Sequence, residues 1–167
     1  MDFKASLDRT AKIATAFIIM LLGFFICLGL WEFYDEGVIG LLFIPIFLLA
    51  IIGIVYFYRP LYYSVDSDNL IIHRQAGKIT IKKSQIQSAG IIEEGSMGFV
   101  IRTFGVGGLF GYFGEFYSRP MGAMTWYVTR QDKFVLIITS LRKIVVSPDD
   151  SERFIDALTI TLDQGKL

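Results

Sequence analysis

Residues 13–30 read IATAFIIMLLGFFICLGL and residues 38–58 read VIGLLFIPIFLLAIIGIVYFY. Neither stretch holds a charged residue. Each reaches the ~18 apolar residues that mark a membrane-spanning helix. At a rise of ~1.5 Å per residue they would extend ~27 Å and ~31 Å, close to the ~30 Å hydrocarbon core of a bilayer. The first run holds eleven Leu, Ile, Phe or Val residues and the second fifteen. Each such residue favours insertion by about 0.3–0.6 kcal/mol near the bilayer centre. Pro45 stands in the second run, where lipid-embedded helices tolerate a bend. The first run is too long for a cleaved leader core, and Trp31-Glu32-Phe33-Tyr34 follows it where small cleavage-site residues belong. It reads as a retained anchor.

The flanks orient the pair. Lys4, Arg9 and Lys12 precede the first run and Arg59 closes the second, whereas residues 31–37 carry Glu32, Asp35 and Glu36 and no basic residue. Basic flanks stay on the cytoplasmic side, so both termini are expected in the cytoplasm of a multi-pass cell (inner or plasma) membrane protein. Trp31, Phe33 and Tyr34 fit one interfacial aromatic belt, and Tyr56, Phe57 and Tyr58 the other. The short connector makes the helices an antiparallel hairpin. The organisation expected is a cytoplasmic flank over 1–12, a transmembrane hairpin over 13–58 and a cytoplasmic domain over 59–167.

Composition narrows the function. The 167 residues are 53% hydrophobic and 15% aromatic, with 16 basic and 16 acidic residues. A chain with no net charge lacks the basic field that nucleic acid attracts. One cysteine, Cys27, and one histidine, His73, leave no intramolecular disulfide and no expected Cys/His metal site. No cofactor motif is expected either: a G-x-G-x-x-G starting at Gly105 would need glycine where Phe110 stands, and no Gly-Lys-Ser/Thr follows. Glu93 and Glu94 are neighbours on an expected strand and point to opposite faces, so they make no catalytic pair. No nucleophile–base set is recognisable, and no catalytic residue is assigned. Lys82, Lys83, Arg130 and Lys133 read as solvated turn charges, since residues 59–167 hold 13 basic against 11 acidic residues.

Beyond Arg59 the patterns are those of strands. Apolar alternation marks residues 61–65, 70–74, 79–82, 85–93, 125–129, 134–139 and 143–146. Asp66-Ser67-Asp68-Asn69 and Gln75-Ala76-Gly77-Lys78 are turn signals between the first three. Ser147-Pro148-Asp149-Asp150 then opens a helix with a cap, a proline and acids in the first turn. Phe154, Leu158 and Leu162 make its apolar stripe. The expectation is seven strands in a sandwich or small barrel, closed by a C-terminal amphipathic helix.

That order resembles a pleckstrin-homology (PH) domain, and more narrowly the bacterial PH-like domains attached to membrane hairpins. The resemblance rests on residues 61–65 directly after a membrane helix, on the glycine-aromatic run from Arg102 to Gly114, and on Val146-Ser147-Pro148-Asp149-Asp150 leading into Arg153-Phe154-Ile155. It implies a non-catalytic binding or assembly module, scaffolding a protein partner or forming a homo-oligomer. Alternatives are an accessory subunit of a transport or secretion complex, or an integral membrane enzyme. PH domains that bind phosphoinositides use basic residues around the first hairpin loop. Here that loop carries Asp66 and Asp68, so no specific phosphoinositide is expected.

The glycine-aromatic run is the most unusual part of the domain. Gly105, Gly107, Gly108, Gly111 and Gly114 alternate with Phe110, Tyr112, Phe113 and Phe116. Two readings compete. The glycines permit bends whose aromatics fill the core, or they form an adaptable surface loop whose Phe110, Tyr112, Phe113 and Phe116 contact the bilayer or a partner. Strand alternation from Arg59 brings the turn at 75–78 back toward the bilayer, and with it the start of this run.

Overall fold

The structure, a computed structural model, describes residues 1–37, 43–93 and 95–164. Ten strands and three α-helices appear among them. Strand β1 (Asp2–Lys4) precedes α1 (Arg9–Glu36) and α2 (Phe43–Tyr58). Strands β2 (Pro60–Val65), β3 (Asn69–Arg74), β4 (Gly77–Lys82) and β5 (Ile86–Ile92) follow. Next come β6 (Val100–Gly107), β7 (Tyr112–Ser118), β8 (Gly122–Val128), β9 (Phe134–Thr139), β10 (Lys143–Val146) and α3 (Ser151–Gln164).

The strands form two sheets, of order β1-β2-β3-β4 and β5-β9-β10-β8-β7-β6. All pairings are antiparallel except β10 with β8. Period-2 alternation aims Tyr63, Leu70, Ile72 and Ile81 of one sheet at Val135, Ile137, Ile144 and Val146 of the other. Phe154 and Leu158 of α3, both fully buried, plug this core. A second cluster covers the opposite face of the larger sheet, where Phe116 stacks on Trp126 at 4.3 Å, with Met124, Val128 and Val145 around them.

Seven strands were expected and ten are seen. The family resemblance in fold holds: two packed sheets and a C-terminal helix. Two of the additional strands, β6 and β7, occupy the glycine-rich run, whose many glycines mask strand alternation. The third, β1, lies within the first twelve residues. Asp2–Lys4 are therefore part of the β domain and not a flank outside it, while Arg9–Lys12 already belong to α1. Asp2, Phe3 and Lys4 pair with Ser64, Tyr63 and Tyr62, and the Val65 amide donates to the Met1 carbonyl at 2.8 Å. Phe3 is buried and meets the Phe154 ring edge-on at 5.2 Å.

The helix capping also differs. Asp150, not Ser147, caps α3: its carboxylate accepts from the Arg153 amide at 3.2 Å. Ser147 is a hub between strands, with its hydroxyl accepting from the Thr129 amide at 2.8 Å and the Arg130 amide at 3.3 Å. Its own amide donates to the Tyr63 hydroxyl, which donates to the Tyr127 carbonyl at 2.6 Å. Lys83 is not a solvated charge but buried, donating to the Ala157 carbonyl of α3 at 3.3 Å. Arg130 pairs with Asp132 and Asp149.

Helix α1 extends through the expected connector to Glu36, and Gly37 caps it with its amide on the Phe33 carbonyl at 3.0 Å. At 28 residues it is ~42 Å long. It is long and apolar enough to cross a membrane, and only 11% of its most apolar window is covered by the rest of the protein. Phe17, Met20, Phe24 and Leu30 are all exposed. As described, α2 has 16 residues and includes Pro45, which is buried. The start of the second apolar run at 38–42, Glu94 and the Leu162 side chain lie outside the described residues.

Candidate functional site

Strands β6 and β7 form one hairpin, and its tip joins the β domain to both apolar helices. The strands can close only through glycine. Gly105 and Gly114 are direct cross-strand partners, with φ of 117° and 123°. A Cβ on Gly105 would overlap the Phe113 carbonyl oxygen, and one on Gly114 the Phe104 carbonyl oxygen. These glycines are therefore structural.

At the tip, the Gly108 amide donates to the Gly111 carbonyl at 2.9 Å, and Phe110 takes a left-handed φ of 55°. Thr15 of α1 holds this turn. Its buried hydroxyl accepts from the Phe110 amide at 3.0 Å and faces the Gly108 carbonyl at 3.5 Å. The Phe110 ring meets Tyr56 of α2 edge-on at 5.4 Å. Arg59 lies over both rings, 4.4 Å from the Tyr56 centroid and 5.6 Å from that of Phe110. On β3, Arg74 lies 5.3 Å from the Tyr58 centroid. The β3–β4 turn reaches the same place, its Ala76 amide donating to the Phe57 carbonyl at 2.8 Å. Thus the end of α2 sits in a collar of aromatic rings and two arginines, where rings and guanidinium groups attract.

A second junction holds α1. Asp8 caps it, accepting from Ala11 at 2.6 Å and from the Gln131 amide at 3.2 Å. Asp149 accepts from the Ser6 hydroxyl at 2.6 Å, the Ser6 amide and Arg130. Burial alone would raise the Asp149 carboxyl, but these donors outweigh it and hold the group below its ordinary range. So the Ser-Pro-Asp stretch fastens the N-terminal segment to the domain.

The structure divides the expected contact residues. Tyr112 and Phe116 are buried within the protein itself, so they are corrected from surface contacts to interior rings, while Phe113, also little exposed, lines a groove on the opposite face of β7. Tyr112 and Phe116 face the Trp126 cluster because residues 112, 114 and 116 share one face of β7. Phe110 is half-exposed in the collar. The exposed rings are others: Phe99, Phe104 and Tyr117, with Ile101 opposite Tyr117. Phe104 and Tyr117 belong to the glycine-aromatic run, but sequence reading did not choose them as contacts, and it left out Phe99 and Ile101 because β6 was not recognised as a strand. It also passed over Thr15, whose hydroxyl in an apolar run was a usable signal.

Along the rows Phe104–Glu115–Thr125 and Val106–Phe113–Tyr127, β6, β7 and β8 form an open wall. Ile54, Val55 and Tyr58 of α2 form the opposite wall, and the apolar groove between them holds about 500 Å³. The groove is where the apolar helix surface passes directly into the β domain.

One cluster has the composition of a hydrolase site. Ser64 Oγ lies 2.7 Å from Asp2 and 2.9 Å from His73 Nε2. Its single proton goes to the carboxylate, so His73 must donate to Ser64 and cannot be its base. The His73 ring stacks on Tyr62 at 4.1 Å, and the cluster ties β1 to β2 and β3.

The profile of the bacterial PH domain family matches residues 61–161, which run from β2 into α3. The chain belongs to the bacterial PH domain family. No curated protein matches the chain, and no solved structure does. Membership makes the β sandwich a PH-like domain of a class that typically binds or assembles and does not catalyse. The β1 strand and the two helices lie outside the matched span, so the collar and the groove join the matched domain to segments beyond it.

Proposed function

We propose that the protein is a membrane-anchored PH-like module that holds a binding surface at the cytoplasmic face, where it scaffolds a protein partner or assembles with itself. One observation carries the anchoring. Strand β1 enters α1, β2 leaves α2, and the two strands are hydrogen-bonded neighbours. If α1 crosses a bilayer, α2 must bring the chain back to the side it left. The basic residues Lys4, Arg9, Lys12 and Arg59 at that end favour the cytoplasmic side. Support for the binding surface comes from Phe99, Ile101 and Tyr117 on and beside edge strand β6, since neighbouring exposed apolar side chains mark interaction sites.

Cysteines placed at Asp35 and at Asp68 in a Cys27→Ala chain test the anchoring in intact cells. An impermeant thiol reagent should label position 35 and spare 68. Labelling of 68 alone would reverse the orientation. Ile101→Asp with Tyr117→Asp should release a co-purified partner or shift the full chain to a smaller assembly. An unchanged assembly and an unchanged set of co-purified proteins would remove that surface from consideration.

A further inference from the structure

We infer that the groove between α2 and the β6–β7–β8 wall is one half of a twofold interface whose occupant is a second copy of this chain: Phe104 of each copy enters the groove of the other, and Arg74 of each pairs with Glu115 of the other. This inference deepens the self-assembly proposed above and rests on the anchoring proposed with it. Three features commit the groove to a second copy. The first is charge. Arg74 and Glu115 both line the groove. Neither forms an ion pair among the described residues: Arg74 lies over the Tyr58 ring, and the Glu115 carboxylate accepts from the Thr125 hydroxyl at 3.1 Å. A surface with one unpaired cation and one unpaired anion is complementary to itself under a twofold rotation, which brings each to the other's partner copy. A single ion or an uncharged apolar segment in the groove would cover one or both charges without pairing them, at a cost. The second is shape. Phe104 stands at the rim, 77% exposed, in the same cross-strand row as Glu115 and Thr125. Knob and hole lie side by side on one face, as self-complementarity needs. The third is direction. The β6–β7 tip touches α1 and α2, and the paired Val100–Ser118 end is the far end of that hairpin. The row of Phe104 therefore runs across the direction in which the helices enter the domain. A twofold axis along that direction keeps both copies upright in one bilayer and sets Phe104 level with the partner's groove. It also faces exposed Phe47, Ile51 and Ile54 of α2 toward their counterparts, and these continue the helical wall of the groove at spacings of four and three. Antiparallel pairing of two β6 edges would instead invert one copy relative to the bilayer.

Sedimentation equilibrium of the full chain in mild detergent reads the assembly, and the parent should be a dimer. Arg74→Glu and Glu115→Arg, each alone, put two like-charge contacts into the interface. Each should weaken the dimer about a hundredfold, about tenfold for each contact. Mixed in equal amounts, the two variants should form a heterodimer of parental strength, because every cation then meets an anion. A variant that merely misfolds is not rescued in this way. In a Cys27→Ala background, Phe104→Cys on one tagged chain should cross-link by oxidation to Val55→Cys on another, and Asp68→Cys in the β2–β3 turn should cross-link to neither. A monomeric parent, a dimer indifferent to both charge variants, or a mixture as weak as its components overturns the groove interface. A dimer that survives both charge variants and is lost in the Ile101→Asp with Tyr117→Asp chain puts self-assembly on the β6 edge, which overturns the groove and leaves the proposed function standing. A chain that a carbonate wash removes from vesicles overturns the anchoring, and the shared axis falls with it.

Discussion

Replacing Phe3 by alanine tests whether the segment before α1 belongs to the β domain. The ring is 8% exposed and meets Phe154 edge-on at 5.2 Å, while Phe154 in turn meets Tyr63 at 5.9 Å. Truncating a buried phenylalanine costs ~3–5 kcal/mol. Phe3 is on an edge strand that can relax, so the lower end, ~3 kcal/mol, is expected. The share from the ring pair itself is ~0.5–1.5 kcal/mol. Denaturant unfolding of the full chain in mild detergent, followed by Trp126 fluorescence in a Trp31→Phe background, measures both. Phe3→Ala should lower the midpoint at unchanged slope. A cycle with Phe154→Ala should return a coupling of ~1 kcal/mol, as expected for side chains in contact. A Phe3→Ala chain within ~0.5 kcal/mol of the parent, with no coupling, would mean that β1 is not docked. Nothing would then tie the end of α2 to the side from which α1 leaves.

Other outcomes follow from the same contacts. Gly114→Ala should cost more than ~2 kcal/mol, adding a backbone overlap to the ~1–2 kcal/mol of a left-handed non-glycine residue, while Gly53→Ala, in open space, should cost nothing measurable; thermal melts compare them. Thr15→Val removes the acceptor of the Phe110 amide, and hydrogen exchange at that amide should accelerate, with a stability loss of ~1–3 kcal/mol. Burial raises the Tyr63 hydroxyl from 10.0 to about 12, with Ser147 partly opposing. Its folded value lies above its unfolded one, so this contribution to stability is full below pH ~10 and fades as pH climbs toward ~12. Tyr63→Phe should flatten that alkaline limb in a stability–pH series. Asp149 is shifted the other way, so its contribution is present above its unfolded value of ~3.9 and lost as pH falls through the lower folded value. Asp149→Asn should flatten the acid limb.

What the sequence revealed depended on the range of the interactions. The apolar runs, the alternation from Leu61 to Lys82 and the stripe of α3 are local periodicities, and each led to an element. Hairpin β6–β7 was hidden because Gly105 and Gly114 matter through each other across the sheet, and alternation within one segment cannot report that. Tyr112 and Phe113 looked like display residues for the same reason: their surroundings are set by pairing with Val128 and Tyr127 of β8, not by alternation within their own segment. Strand β1 has three residues, too few for any period, and its partner follows both helices. Lys83 illustrates the limit for charges, since its burial depends on α3 arriving over it. Arg59 and Arg74 gave no motif because the Pro60–Arg74 pairing, and not sequence distance, brings both to the aromatic rings at the end of α2.

The pairing of β1 with β2 also imposes an order on biogenesis. Ser64 and Asp2, which bond through their side chains, stand 62 positions apart, with both apolar helices between them. During synthesis β1 emerges first and must wait, unpaired, until α2 has been made and β2 follows it. In a chain threaded into a bilayer, the two strands meet only when the second helix has turned back. A hairpin left half-inserted would strand β2 on the far side, deny Phe154 the ring of Phe3 and leave the sandwich open at that edge. On the proposed two-pass anchoring, completion of the β domain is conditional on correct membrane topology, and a misthreaded copy would expose an unpaired strand that proteases and chaperones can recognise.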